Sequence, residues 1–272
     1  MTGGFDAFWA VFAREVRGAV RSRTALLLTF VTTLVVLGLA RAGSGPSAGY
    51  VPTVVDVLLV VEVLVPAVAF AVGYRAIADE AVRGTLDVLA TYPLSPWTYV
   101  LGVYAGRAVV LLVVVLSPLA ILGSLVAVSA GPATTVFAAH RGVDSPLLFV
   151  RFGALTAAFA LSTLAMAVAV SALADSRRRA ILLALAGLLV VVVGADLSVV
   201  RALTGGVGIE LDTLVALSPA SAYRGLVFET VLSVAYAERS GFVSVSAAVV
   251  SLVAWGLCSV VVASLAVRAR RA

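Results

Sequence analysis

Residues 79–96 read DEAVRGTLDVLATYPLSP. The stretch carries four charged side chains, Asp79, Glu80, Arg83 and Asp87, and closes on a Tyr-Pro-Leu-Ser-Pro turn. It nevertheless lies between two runs apolar enough to cross a bilayer. A charge at mid-bilayer costs about 2.5–3.5 kcal/mol on insertion scales, so this stretch is expected to stand outside the hydrocarbon, between two membrane spans. Glu80, Arg83, Gly84 and Asp87 recur at i, i+3, i+4 and i+7, with Val82, Leu86 and Leu89 opposite. That spacing predicts a short surface helix over Asp79–Ala90, with Arg83 and Asp87 paired one turn apart. Pro93 disfavours helical backbone at Tyr92 and ends the helix, and Ser95-Pro96 starts the next one. A helix fastened at both ends to spans is placed to pass on a push from a soluble protein. An ordinary interfacial loop is the other reading of the same residues.

Composition sets the class. Of 272 residues 62% are hydrophobic and 12% charged, with a mean hydropathy of +1.15. Soluble domains are nearer half apolar and a quarter charged, so lipid is the expected solvent for most of this chain. All 19 basic residues are arginine. Without lysine the chain has no Walker A loop and no Schiff-base amine, and ATP-driven work needs a partner. Cys258 is the one cysteine, which excludes an internal disulfide; it reads as a small buried hydrophobe. His140 stands alone in a loop, and there is no CxxC or HExxH. No metal or other cofactor is expected on the chain, no enzyme activity of its own, and no nucleic-acid partner.

The N-terminal stretch 5–23 places Phe5, Phe8, Trp9, Phe12 and Val16 at helical spacing, with Arg14, Arg17 and Arg21 on another face. It reads as an amphipathic helix lying in the interface, its arginines near lipid phosphates. Six spans follow near 24–40, 53–75, 98–128, 147–174, 180–200 and 243–267, each about the ~20 residues a bilayer needs. Arginine asymmetry sets their direction. Arg14, Arg17, Arg21, Arg23, Arg75, Arg83, Arg107, the Arg177-Arg178-Arg179 turn, Arg268, Arg270 and Arg271 collect on one side, which makes both termini cytoplasmic. The expected fold is all-α, a polytopic membrane protein of six transmembrane helices preceded by an interfacial helix, with residues 1–272 as one transmembrane domain in the cell membrane. Ser218-Pro219 should start a further helix, lying on or dipping into the outer leaflet.

The order of these parts resembles the ABC-2 type permeases, and the six-span branch that includes the nitrous-oxide-reductase maturation permease. The pattern E-x-x-x-G-T-L-x-x-L-x-x-x-P-L-S/T after the second span is read here as Glu80, Gly84, Thr85, Leu86, Leu89, Pro93, Leu94 and Ser95. A weaker echo is LSPASAYR at Leu217–Arg224. The resemblance implies a permease subunit acting as a dimer, in an ATP-driven transporter that works as an exporter. Each copy would be gripped by a separate ATP-binding-cassette subunit that holds ATP and Mg. Glu80, Arg83, Gly84, Thr85, Leu86, Asp87, Leu89, Tyr92 and Pro93 would form the ATPase-coupling segment, with the helix of Phe8, Trp9, Phe12, Arg14, Arg17 and Arg21 beside it. The chain departs from the copper-linked member: one cysteine, one histidine and two methionines form no soft-ligand track.

Two acids interrupt the second span, Asp56 toward its outer end and Glu62 nearer mid-bilayer. Both are translocation-path candidates, since ionisable groups in spans are functional by default. Glu62 could instead be a structural acid that is protonated or paired with arginine, Arg107 and Arg151 being the candidates within reach. A proton-coupled carrier or channel using Glu62 is the alternative function. Six residues separate Asp56 from Glu62, which argues against one shared site. Gly102 and Gly106 form a GxxxG and read as a close-packing surface.

Overall fold

The computed structural model describes residues 3–20, 22–85, 94–129, 144–203, 218–233 and 244–270, with side chains described except at 3, 20 and 194–203. Every regular element among them is a helix, as the apolar composition leads one to expect. In chain order these are α1 (Gly3–Val20), α2 (Arg23–Ala42), α3 (Tyr50–Gly73), α4 (Ala78–Val82), α5 (Pro96–Ser129), α6 (Pro146–Leu173), α7 (Arg177–Leu203), α8 (Pro219–Val227) and α9 (Val245–Ala269). Among the described residues five stretches are long and apolar enough to cross a membrane: α2, α3 with its continuation to Val82, α5, α6 and α9.

Local signals place the helix starts. Ser145 accepts a hydrogen bond from Leu147 N ahead of Pro146, and Ser244 accepts one from Ala247 N. The start of α3 is capped from far away: Asp144 takes the backbone N–H of Tyr50 and of Val51, both at 2.9 Å. That satisfies two of the donors a helix N-terminus leaves open and joins the chain just before α6 to the start of α3.

α3 and α6 pack along one another, and at the end of α3 Gly73 faces Ala167 so closely that an added Cβ would come within 2.6 Å of it. Phe152, Phe159 and Leu164 of α6 and Tyr223 of α8 are fully buried. The helix expected at Ser218-Pro219 begins at Pro219 as α8. It is largely buried, packs against α6, α7 and α9, and continues into a single π-helical turn, Phe228–Leu232. Tyr223 stacks on Phe159 at 4.7 Å and hydrogen-bonds Thr156.

At 34 residues α5 is the longest helix. That is about 51 Å, some 20 Å beyond the hydrocarbon thickness. Its surplus turns have a use: α1 lies along them. Cβ atoms on Gly102 and Gly106 would run into Val11 at 2.9 Å and into Glu15. The GxxxG is a packing surface, and its mate is α1. Val11 is buried in that seat, while Phe5 and Trp9 face outward beside Phe8 and Phe12 in a chain of ring contacts. Arg17 is exposed and Arg21 falls outside the described residues.

Two expectations are corrected. The helix predicted over Asp79–Ala90 is broken after Val82, where Gly84 takes φ +70°, a left-handed conformation that no helix continues through; Thr85 is helical again, and 86–90 lie outside the described residues. Arg83 accordingly lies near Asp79, at 4.0 Å, one turn before it. Leu86, Asp87, Leu89, Tyr92 and Pro93 lie outside the described residues, as does His140. Cys258, expected to be buried, is exposed on α9, which presents much of its apolar surface outward. For a helix in lipid an outward thiol carries no hydrophobic penalty.

Replacing Gly106 by Leu should unseat α1. The expected result is a helix newly open to proteolysis and a loss of about 1–3 kcal/mol in unfolding free energy, the range for overpacking, read from limited digestion and detergent unfolding midpoints.

Candidate coupling site and intramembrane ion pair

The residues after α3 are fixed to four other parts of the bundle. Ser171, near the end of α6, accepts the backbone N–H of Ile77 at 2.9 Å and of Ala78 at 3.0 Å. These amides begin the turn into α4 and are buried, so an unmade bond there would carry the desolvation penalty of a buried donor. Ala78 packs on Ala174 and Ala180, at the turn between α6 and α7. Asp79 lies 3.6 Å from Arg177 of α7 and 3.2 Å from Arg75. Glu80 meets Arg14 of α1 at 2.6 Å through one oxygen and accepts from the Tyr99 hydroxyl of α5 at 2.7 Å through the other.

A second carboxylate completes the frame. Glu15 of α1 contacts Arg14 at 3.0 Å and accepts from Arg107 Nε of α5 at 2.7 Å. Arg107 also donates to the Val72 carbonyl at the end of α3, at 2.9 Å, where a cation suits the helix C-terminus. Burial works to lower the Arg14 guanidinium, but Glu80 and Glu15 outweigh it and hold it above its ordinary value. Just past the end of α9, Arg270 donates to the Ala174 carbonyl at 2.8 Å. The arginine-bearing helix ends expected on one side are thus gathered at one end of the bundle.

The coupling candidates therefore fall into two groups by exposure. Glu80 is turned inward as a cross-link. Val82 and Arg83 are exposed, the latter at 65% of its side chain, and stand beside the Gly84 turn and Thr85. The segment presents exposed charged and apolar side chains on a backbone tied into α1, α5, α6 and α7.

The intramembrane acids separate as their spacing predicts. Asp56 accepts from Ser44, from its backbone N at 2.8 Å and its hydroxyl at 2.5 Å, and so pins the turn after α2. Glu62 has an arginine partner, but it is neither Arg107 nor Arg151. Arg224 of α8 brings Nε to 3.1 and 2.9 Å from the two Glu62 oxygens and a second nitrogen to 2.8 Å, a bidentate pairing. The Glu62 side chain is 6% exposed and that of Arg224 38%. Arg151 instead donates to the Thr230 carbonyl in the π turn, at 2.6 Å.

Sequence reasoning passed over Ser171, Tyr99, Asp144 and the Glu62–Arg224 pairing. Arg224 sits inside the quoted LSPASAYR stretch, so a signal for it was present; its partner lies 162 residues away in sequence. A serine hydroxyl on an apolar helix gives no such signal.

Residues 9–269 match the model of a family described as ABC-2 family transporter protein. Among curated proteins the chain is 31% identical over 166 residues to a probable ABC transporter permease protein NosY of Pseudomonas aeruginosa, covering 57% of this chain and 59% of that protein. It is 29% identical over 113 residues to a protein of the same description from Stutzerimonas stutzeri, covering 40% and 41%. The chain thus matches about three fifths and two fifths of the length of these relatives.

Glu62→Gln and Arg224→Gln should each cost about 1.5–3 kcal/mol, the worth of hydrogen bonds to a charged group. The double substitution should cost less than the two losses added together, and the swap Glu62→Arg/Arg224→Glu should recover part of the loss. Unfolding midpoints of the four proteins, taken as a double-mutant cycle, measure the coupling.

Proposed function

The chain belongs to the ABC-2 family of transporter proteins and is a multi-pass protein of the cell membrane; from that membership we propose that it is the permease subunit of an ATP-driven exporter, worked by a separate ATP-binding-cassette protein that holds the ATP and Mg. The outward direction rests on the family resemblance. The absence of lysine supports the division of labour, because phosphate binding by a Walker A loop needs one. In this reading α7, 27 residues long, is the sixth span, and the arginine-rich end of the bundle with both termini faces the cytoplasm. The transporter is a dimer of this chain. Glu62 lies about 18 Å along α3 from Tyr50, and a guanidinium 38% exposed beside it fits a seam covered by a second copy or a polar path rather than lipid. Copper is not proposed as cargo, given the scarcity of soft ligands.

The observation that carries the reading is the anchoring of residues 77–85. One short segment is held to α1 by Arg14, to α5 by Tyr99, to α6 by Ser171 and to α7 by Arg177. An ATPase pressing on its exposed side chains would move four helices at once, and packed elements transmit such a push because they are rigid.

The test is co-purification with the ATPase, followed by transport and ATP hydrolysis in proteoliposomes. Val82→Asp/Arg83→Glu should leave the chain inserted and folded while lowering transport per ATP hydrolysed by about tenfold, the effect of losing on the order of 1.4 kcal/mol of coupling. Unchanged coupling in that variant would remove residues 77–85 from the contact.

A further inference from the structure

We propose that the elbow between α1 and α2 holds the headgroup of an anionic phospholipid from the leaflet at the arginine-bearing end. A cleft of about 630 Å³ opens there, walled by α1, α2, the end of α3, α4 and α5. Two chemistries meet in it. Ala25 and Leu28 of α2, Ala71 and Val72 of α3 and Val110 of α5 form an apolar wall. These residues belong to helices long and apolar enough to cross a membrane, so the wall continues toward the hydrocarbon. The cleft also has a charged wall, with Arg14, Arg75, Arg83 and Arg107 among the carboxylates Glu15, Asp79 and Glu80.

The pairing within that wall is uneven. Glu15 and Glu80 are taken up by Arg107, Arg14 and Tyr99 at 2.6–3.0 Å. Asp79 alone answers Arg75 at 3.2 Å, Arg177 at 3.6 Å and Arg83 at 4.0 Å. Three guanidinium groups around one carboxylate leave a local excess of positive charge at the rim, with Arg75 and Arg83 both substantially exposed. A phosphodiester is the complementary group, and guanidinium binds it through paired N–H donors. The apolar wall distinguishes a lipid from a soluble phosphate. Acyl chains leaving the headgroup would lie along Leu28 and Val110, where a free anion would gain nothing. Basic pockets between membrane helices on the cytoplasmic side are a recurrent setting for such headgroups.

A lipid seated there would bridge the α1–α2 elbow to α4, the segment named above as the ATPase contact. Its binding does not depend on that reading, because it is measured on the isolated full-length chain. In native mass spectrometry from detergent, dioleoylphosphatidylglycerol should bind more tightly than dioleoylphosphatidylcholine. The preference should fall about thirtyfold in Arg75→Gln/Arg83→Gln, two arginines at roughly 1 kcal/mol each near an anionic lipid surface. It should persist in Arg178→Gln/Arg268→Gln, which removes the same charge outside the cleft. If the glutamine pair fails to fold, the single Arg83→Gln, at the more exposed position, should lower the preference several-fold, and an unchanged preference there would overturn the proposal. Equal binding of the two lipids overturns the proposal, as does an equal fall in both glutamine pairs, which would mark a diffuse surface charge. Full displacement of phosphatidylglycerol by millimolar inorganic phosphate would also overturn it, as a soluble-anion site.

Discussion

The seating of α1 on the first turns of α5 is the contact on which the arrangement at this end of the molecule depends. Gly102 and Gly106 let the two helices approach until backbone carbonyls of Phe8 and Phe12 lie 3.3 and 3.2 Å from where Cβ atoms would be. Only at that separation do Arg14 and Glu15 reach across. Arg14 then finds Glu80, Glu15 finds Arg107, and Arg107 closes the end of α3. Small residues at a crossing are the usual means of close packing where lipid leaves no hydrophobic drive between helices. Here they also set the register of an ion-pair network. A surface pair alone would be worth little, but these four groups are partly shielded and share partners, so each fixes the next.

The second organising feature is the same rule applied in the membrane. A carboxylate deep in α3 is tolerable because α8 returns into the bundle and delivers Arg224 to it. The re-entry is itself held by packing: Tyr223 is buried against Phe159 and Thr156. Asp56 and Asp144, nearer the other end, act on backbone and hydroxyl donors, one pinning the turn after α2 and the other capping α3. The three acids thus do different work according to depth. Near the ends a carboxylate organises backbone, and deeper in it requires a cation.

Much of this was legible in the order of residues. The apolar runs announced the long helices, Ser-Pro pairs placed the starts of α5 and α8, and the arginine asymmetry named the helix ends that gather together. The GxxxG was readable as a packing surface, though not its mate. The break at Gly84 within Asp79–Ala90 was missed because the polar spacing fits a continuous helix as well as it fits a helix that has just ended. A spacing pattern carries no dihedral information, and glycine is the residue for which that matters most.

The sequence by itself determined the solvent, the helical class and the position of the charged segment after α3, because each follows from local composition and from the cost of charge in hydrocarbon. Tertiary structure alone decided the partners. Glu62 could have met any of several arginines, and Ser171 or Asp144 could have met none. Those choices depend on which helices cross and how closely, and the glycines at the crossings permit the approach without naming the neighbour. Residues 79–96 were recognisable as a charged segment between apolar runs; that Asp79 and Glu80 are bolted to α1, α5 and α7, and the preceding Ile77 and Ala78 to α6, could be seen only once those helices were in place.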